Sequence, residues 1–297
     1  MKRFIFPLLC LFLFACGEEK QAPETAETSA SEQAPSEEIA VSTPPSSENP
    51  AVLDHDPLGM YVGSFEAAKY GAGNAPSYSN LINISINRIE EDKVYGHSVV
   101  AGNIRPFEGS LKKVGDTNYM VEAKEPGDDR YDGSFKFSII LGTKPSINGT
   151  WVANDTKLAV TERKYELQKR KYDYNPELDL PESVTYDGLY DTWSGDEAET
   201  LTSSVTQLNA SKALLKKQEV ENLYKADLEF IRNAVYARHG YSFKNRRVRY
   251  VFDNYVDWYI PISTDIRDQL TEVERENIAL LKRYEEHAEE YYDSFGR

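Results

Sequence analysis

Residues 80–89 read Asn-Leu-Ile-Asn-Ile-Ser-Ile-Asn-Arg-Ile, in which apolar and polar side chains alternate strictly from Ile82 to Asn87. Successive side chains of a strand point to opposite faces, so Ile82, Ile84, Ile86 and Arg88 share one face and Leu81, Asn83, Ser85 and Asn87 the other. Segments of the same kind stand at 59–65, 94–101, 107–114, 119–123, 133–141, 147–152 and 163–169. Turn residues separate them: Glu91-Asp92, Ala101-Gly102-Asn103, Gly115-Asp116, Glu-Pro-Gly-Asp-Asp at 125–129 and Lys144-Pro145-Ser146. Short strands at this spacing, with no helical period between them, predict an all-β antiparallel meander over 57–172. Closing eight such strands into an up-and-down barrel would remove the exposed edges. An aromatic or apolar residue followed by Gly recurs, as in Phe107-Glu108-Gly109, Tyr131-Asp132-Gly133 and Ile147-Asn148-Gly149-Thr150-Trp151. Glycine at such places relieves crowding at bends.

The pattern resembles lipocalin-like domains in architecture, which by itself assigns no function. A barrel of this size is either filled by side chains or holds one small molecule. Asp128, Asp129 and Asp132 lack the spacing of a calcium loop and are read as a polar hairpin tip. Asn148-Gly149-Thr150 fits a glycosylation sequon but is read as a hairpin turn, and His97 as a packed strand residue.

Residues 173–208 are polar and proline-bearing, and are read as an inter-domain connection, with Trp193 packed on one of its neighbours. Beyond it the period changes from 2 to 3.6. A short helix capped by Asn209 or Ser211 is expected around Ala213–Leu215, and a second turn at Val220 and Leu223. The best helix starts at Asp227, with Leu228, Ile231, Ala234, Val235 and Arg238 on one stripe. Gly240 stands where a left-handed residue ends a helix. Residues 244–255 form another helix, and Thr271 with Glu274 makes a capping box for a last one, whose buried face holds Ile278, Leu281 and Tyr284. Residues 288–297 are read as a tail.

Tyr236-Ala237-Arg238-His239-Gly240 spells a motif, and its flanks include Leu228, Arg232-Asn233, Tyr241-Ser242-Phe243, Trp258-Tyr259 and Glu276-Asn277-Ile278. Residues 209–287 thereby resemble the YARHG domain, a small module named for that motif. The resemblance implies an extracellular or cell-envelope module and no established activity. The fold class expected is multidomain: a lipocalin-like β-barrel followed by a small α-helical YARHG domain.

The chain begins with Lys2 and Arg3, followed by an apolar run from Phe4 to Phe14, too short to span a bilayer. Residues 1–15 are read as a secretory signal peptide. Leu13-Phe14-Ala15-Cys16 resembles a lipobox, which implies lipidation of Cys16 and a membrane anchor. Gly17 after the cysteine, by resemblance to Gram-negative lipoproteins, implies the outer membrane. From Gly17 to Asp56 ten acids stand against the single base Lys20, with few aromatic residues, and residues 16–56 are read as a disordered tether. Cys10 leaves with the signal and Cys16 is acylated, so no cysteine remains for a disulfide.

A net charge of −15 argues against a general nucleic-acid binder. Against that background, Lys212 to Tyr250 carries ten bases and four acids. Tyr236, Arg238, His239, Tyr241, Arg246, Arg247, Arg249 and Trp258 are the candidate binding residues. A basic surface with aromatic residues suits peptidoglycan, an anionic glycan or an acidic envelope protein. The same Arg238 and His239 can equally be bonded to helix carbonyls, fixing the turn, and the basic cluster can pair with the acidic tether or with Glu285, Glu286, Glu289 and Glu290 of the last helix. No catalytic motif is present, and no cofactor or metal is expected. The leading reading is an envelope-anchored binding or scaffold lipoprotein. The alternatives are an envelope-polymer hydrolase, which needs a cleft with a carboxylate pair, and a small-ligand carrier, which needs a barrel cavity of about 300 Å³ or more.

Overall fold

Strands form at all eight places where the alternation predicts them: β1 (Gly59–Tyr70), β2 (Asn80–Glu90), β3 (Lys93–Val100), β4 (Asn103–Lys113), β5 (Asn118–Lys124), β6 (Gly133–Ile140), β7 (Ser146–Ala153) and β8 (Val160–Arg170). The computed structural model describes residues 54–70, 79–185 and 201–291. Each strand pairs antiparallel with the next, and β1 pairs with β8, so the sheet closes into an up-and-down barrel without an open edge. The signal segment, Cys16, the tether up to residue 53 and Trp193 lie outside the described residues. At the end of the expected tether, Asp54 exchanges backbone hydrogen bonds with Gly142, and its carboxylate meets Lys169 at 2.7 Å, so the chain is tied to the barrel before β1 begins.

The inward face of β2 carries Ile82, Ile84 and Ile86, as the alternation requires, but Arg88 does not follow them. Ile86 pairs with Gly96 and Arg88 with Tyr95, so one extra residue bulges from β2. The bulge reverses the phase. It turns Ile89 towards the core and sends Arg88 outside, over the ring of Tyr95 at 3.9 Å. Asn148-Gly149 is not a hairpin turn; it lies inside β7, where Gly149 lets the strand approach Phe137 of β6. His97 points outward, half-buried, and bonds Asn87 at 2.8 Å.

One end of the barrel is filled by Tyr61, Ile84, Ile86, Ile139, Ile147 and Leu167, with the Tyr61 hydroxyl donating to the carbonyl of Pro57 at 3.0 Å. The other end, which carries the β3–β4, β5–β6 and β7–β8 turns, is less completely filled.

The C-terminal region holds two single-turn helices, α1 (Ser204–Gln207) and α2 (Lys217–Val220), then α3 (Lys225–Arg238), α4 (Arg246–Tyr255) and α5 (Glu272–Tyr291). No helix forms around Ala213–Leu215; Asn209 instead bonds the carbonyls of Pro176 and Leu178 and the carboxylate of Asp179. The best helix begins two residues before Asp227, whose carboxylate accepts from the backbone and hydroxyl of Thr202 at 2.8 and 2.6 Å. The last helix runs through Ala288 to Tyr291, so the expected tail starts as helix. The expected capping box forms: Thr271 Oγ1 accepts from the Glu274 N–H, and Glu274 accepts from the Thr271 N–H at 2.9 Å.

Leu180, Val184, Leu201 and Val205, from the expected connection, are buried in the same core as Phe230, Phe252 and Leu281. Much of that segment is thus part of the helical unit rather than a spacer. The barrel and the helices form one compact unit within Asn49–Arg297. The outward face of β2 explains how. Asn83 and Ser85 are buried beneath the helical unit, and the Asn83 amide donates to the carbonyl of Pro261 at 2.9 Å. The Leu81 N–H donates to Asp253 of α4 at 2.8 Å, and the Gly102 N–H to Ser242 at 2.9 Å. β2 is therefore covered on both faces.

Candidate functional site

The less filled end of the barrel contains a cavity of about 400 Å³. Phe65, Phe135 and Trp151 wall it, with Phe65 and Trp151 meeting edge to face at 5.8 Å between ring centroids. Three charged side chains project into it from strands: Arg105 of β4, Glu125 just after β5 and Arg163 of β8. Glu125 accepts from the Gly133 N–H at 2.6 Å, Trp151 Nε1 at 3.0 Å and Ser98 Oγ at 3.2 Å. Burial pushes its carboxyl above the ordinary carboxylate range despite these bonds and the charge of Arg105. Arg105 is paired with buried Asp132 at 3.0 Å, so Asp132 serves more than a hairpin tip. Arg163 lies 5.0 Å over the ring of Phe65 and donates to that residue's carbonyl at 2.8 Å. A fourth charge, Arg249, reaches the same cavity from α4. Burial lowers the Arg163 pKa, and the nearby Arg249 charge lowers it further.

The Tyr236–Gly240 turn lies in the helical unit. Gly240 has φ +69°, and the N–H groups of Tyr241 and Gly240 close back on the carbonyls of Tyr236 and Ala237 at 3.0 and 2.9 Å. This is a Schellman ending. It directs Arg238 and His239, only 2% and 3% exposed, into the interior. His239 Nε2 lies 2.8 Å from Glu274 of α5, and Tyr174 stacks on the imidazole at 4.4 Å. Arg238 donates to the Leu178 carbonyl at 2.7 Å and to Ser211 at 3.4 Å. Glu274, fully buried, accepts from His239, the N–H and hydroxyl of Thr271, Ser211 and Tyr174. Burial opposes its ionisation, but these hydrogen bonds outweigh burial and hold its carboxyl at about 2.

Residues 203–286 match the family model described as the YARHG domain. No curated protein and no solved structure matches the chain. The matched segment starts before the expected boundary at 209 and includes Val205, which is buried in the domain's core.

The YARHG motif is thus the internal brace of the YARHG domain. His239 is the C-cap residue of α3 through its backbone N–H, while the side chains of Arg238 and His239 tie α3 to segments distant in sequence. Trp258 belongs to the same brace, its Nε1 donating to the Asp179 carbonyl at 2.8 Å and its ring lying 5.8 Å from the Arg238 guanidinium. Tyr236 and Tyr241 are half-buried, 6.1 Å apart, and line a surface cleft of about 530 Å³ together with Arg232, Phe243, Lys244 and Arg267. Arg246 is exposed, Arg247 pairs with Glu229, and Arg249 turns away to the barrel. The basic cluster is therefore divided among three places. Arg232 and Lys225, both outside the 244–249 cluster, pair with Glu285 and Glu289 of α5.

The sequence reading passed over Arg105, Glu125 and Arg163. The signal was present in the alternation: Arg105 is in phase with Phe107, Glu125 with Val121 and Ala123, and Arg163 with Tyr165 and Leu167. Each is a charge at the end of an apolar strand face.

Proposed function

We propose that this protein is an envelope lipoprotein, anchored to the outer membrane through Cys16, that binds a small molecule in the mouth of its barrel. The observation that carries the reading is the aromatic-walled cavity of about 400 Å³. Ligand sites are concave, mostly apolar and furnished with a few convergent polar groups, and this cavity has that composition. The YARHG domain contributes Arg249 to its lining and grips β2 at the same end. In this reading the domain is a structural partner of the binding site, and the lipid and tether hold the site near the membrane. Among the described residues the cavity lining carries one carboxylate, Glu125, which favours binding over carboxylate-pair hydrolysis.

The test is native mass spectrometry of the full chain, before and after uptake of N-phenyl-1-naphthylamine, for wild type and Val100→Trp. Val100 lines the cavity, and a Trp there fills it. A bound species in wild type that the variant loses is expected. No uptake by wild type, or equal uptake by both, would remove the reading.

The cleft beside Tyr236 and Tyr241 favours a second reading, recognition of peptidoglycan, an anionic glycan or an acidic envelope protein, because Lys244 lines it with the aromatic rings, beside Arg232 and Arg267, which pair with Glu285 and Asp265. Peptidoglycan sedimentation with wild type and with Lys244→Glu plus Arg267→Glu tests it. Equal sedimentation of the two would discard peptidoglycan as the partner.

A further inference from the structure

We infer that the barrel-mouth ligand is a small amphipathic oxyanion, its charged group held between Arg163 of β8 and Arg249 of α4 and its apolar body against Phe65, Phe135 and Trp151. This rests on the reading of the barrel mouth as a binding site.

The argument begins with which charges are already satisfied. Arg105 meets Asp132 at 3.0 Å and Asp129 at 3.4 Å. Arg163 and Arg249 meet no carboxylate in an ion pair among the described residues. Arg163 spends Nη1 on the Phe65 carbonyl. Arg249 spends Nε on Asn80 and Nη1 on the carbonyls of Phe243 and Lys244 at 3.3 and 2.8 Å. Asp253, one turn along α4, feels the charge of Arg249, but its carboxylate accepts from the Leu81 N–H. The Nη2 group of each arginine hydrogen-bonds to none of the described residues.

Two like charges in a half-buried, aromatic-walled space repel each other, and each loses hydration. An oxyanion between them removes both penalties. Guanidinium forks suit carboxylate, sulfonate and phosphate oxygens alike. The backbone carbonyls that anchor each arginine leave its position set before a ligand arrives. Glu125 places the other boundary. Its oxygens already accept from Gly133, Trp151 and Ser98, so it offers no donor to an anion. The ligand's charged group therefore belongs at the two arginines, with the rings to receive its apolar part. Because β8 supplies one cation and α4 the other, neither the barrel nor the YARHG domain holds the site alone.

The experiment uses the full chain with Cys16→Ser, so that no acyl chain competes. It compares fluorescence titrations of anionic 1-anilinonaphthalene-8-sulfonate with neutral N-phenyl-1-naphthylamine, which have nearly the same aromatic body. The anionic probe is expected to bind about tenfold more tightly or better, given the strength of charge-assisted hydrogen bonds. Arg163→Gln and Arg249→Gln should each weaken the anionic probe about tenfold and change the neutral probe less than about twofold. Arg163→Lys, which keeps the charge, should lose less than Arg163→Gln. Thermal melts establish that each variant is folded, and Arg249→Gln carries the test if the strand variant is not. Equal affinity for the two probes, unmoved by either arginine change, would overturn the anion inference and leave the cavity reading intact. Failure of wild type to bind either probe would overturn both. Undiminished binding of the anionic probe to Val100→Trp would place its site elsewhere and also overturn the inference.

Discussion

Replacing Glu274 tests whether the YARHG motif is a brace. The carboxylate is fully buried and takes hydrogen bonds from His239, Ser211, Tyr174 and both donors of Thr271. Glu274→Ala leaves these buried donors without an acceptor, at about 1–3 kcal/mol each, so a loss of about 3–5 kcal/mol is expected. At about 2–4 °C per kcal/mol for a unit of this size, the midpoint of thermal unfolding should fall by roughly 10 °C. Glu274→Gln keeps the shape. The hydroxyls of Ser211 and Tyr174 can reverse and accept from its amide, so the expected loss is smaller, about 2–3 kcal/mol. A dependence on pH separates charge from packing. The Glu274 carboxyl titrates at about 2 in the fold against an ordinary 4.5. A depressed acid contributes its stability above the ordinary value and loses it as pH falls through the folded value. The shift corresponds to a contribution on the order of 3 kcal/mol. The gap in melting temperature between wild type and Glu274→Gln should thus be widest above pH 5 and close as pH falls towards 2. Melts followed by circular dichroism at stepped pH measure it, and comparison with the variant cancels the other acids. A gap that stays constant from pH 6 to 3, or a Glu274→Ala midpoint within about 1 °C of wild type, would refute the brace.

Gly240→Ala should destabilise the protein by at least about 1 kcal/mol in denaturant unfolding, because φ is +69° and the new Cβ would lie 2.3 Å from Ile262. Asp253→Asn should become progressively more stable than wild type as pH rises, by about 1–2 kcal/mol at pH 8. Burial raises the Asp253 carboxyl to about 7, against the Leu81 N–H and Arg249, so its contribution is full below the ordinary 3.8 and lost as pH rises through 7. Melts at pH 5 and 8 check the direction. Trp151→Ala should cost about 3–5 kcal/mol, since the ring packs on Phe65 and its Nε1 bonds Glu125. Cys16→Ser should abolish incorporation of a fatty-acid probe and release the protein from the membrane fraction; continued labelling would exclude that cysteine as the anchor.

The alternation from Asn80 to Ile89 and its counterparts was enough to place eight strands, because a strand's period is local and survives in any barrel. Gly240, and Thr271 with Glu274, were legible for the same reason: a left-handed helix end and a capping box are set by residues a few positions apart. Arg88 was misplaced because a single bulge reverses which face a residue takes; the adjacent polar pair Asn87-Arg88 before Ile89 marks that change of phase. Asn83 and Ser85 read as the wet face of a strand; only docking of α4 and Pro261 made that face interior. Arg249 shows the same division most plainly. Its neighbours Arg246 and Arg247 made it part of a basic cluster, whereas the helix carries it to the barrel mouth beside Arg163, far away in sequence. Glu274 meets His239 across two helices in the same way. Local periods decided the elements of this protein, and long-range packing decided which of its charges meet, because charges are brought together by closure and docking that no short stretch of sequence encodes.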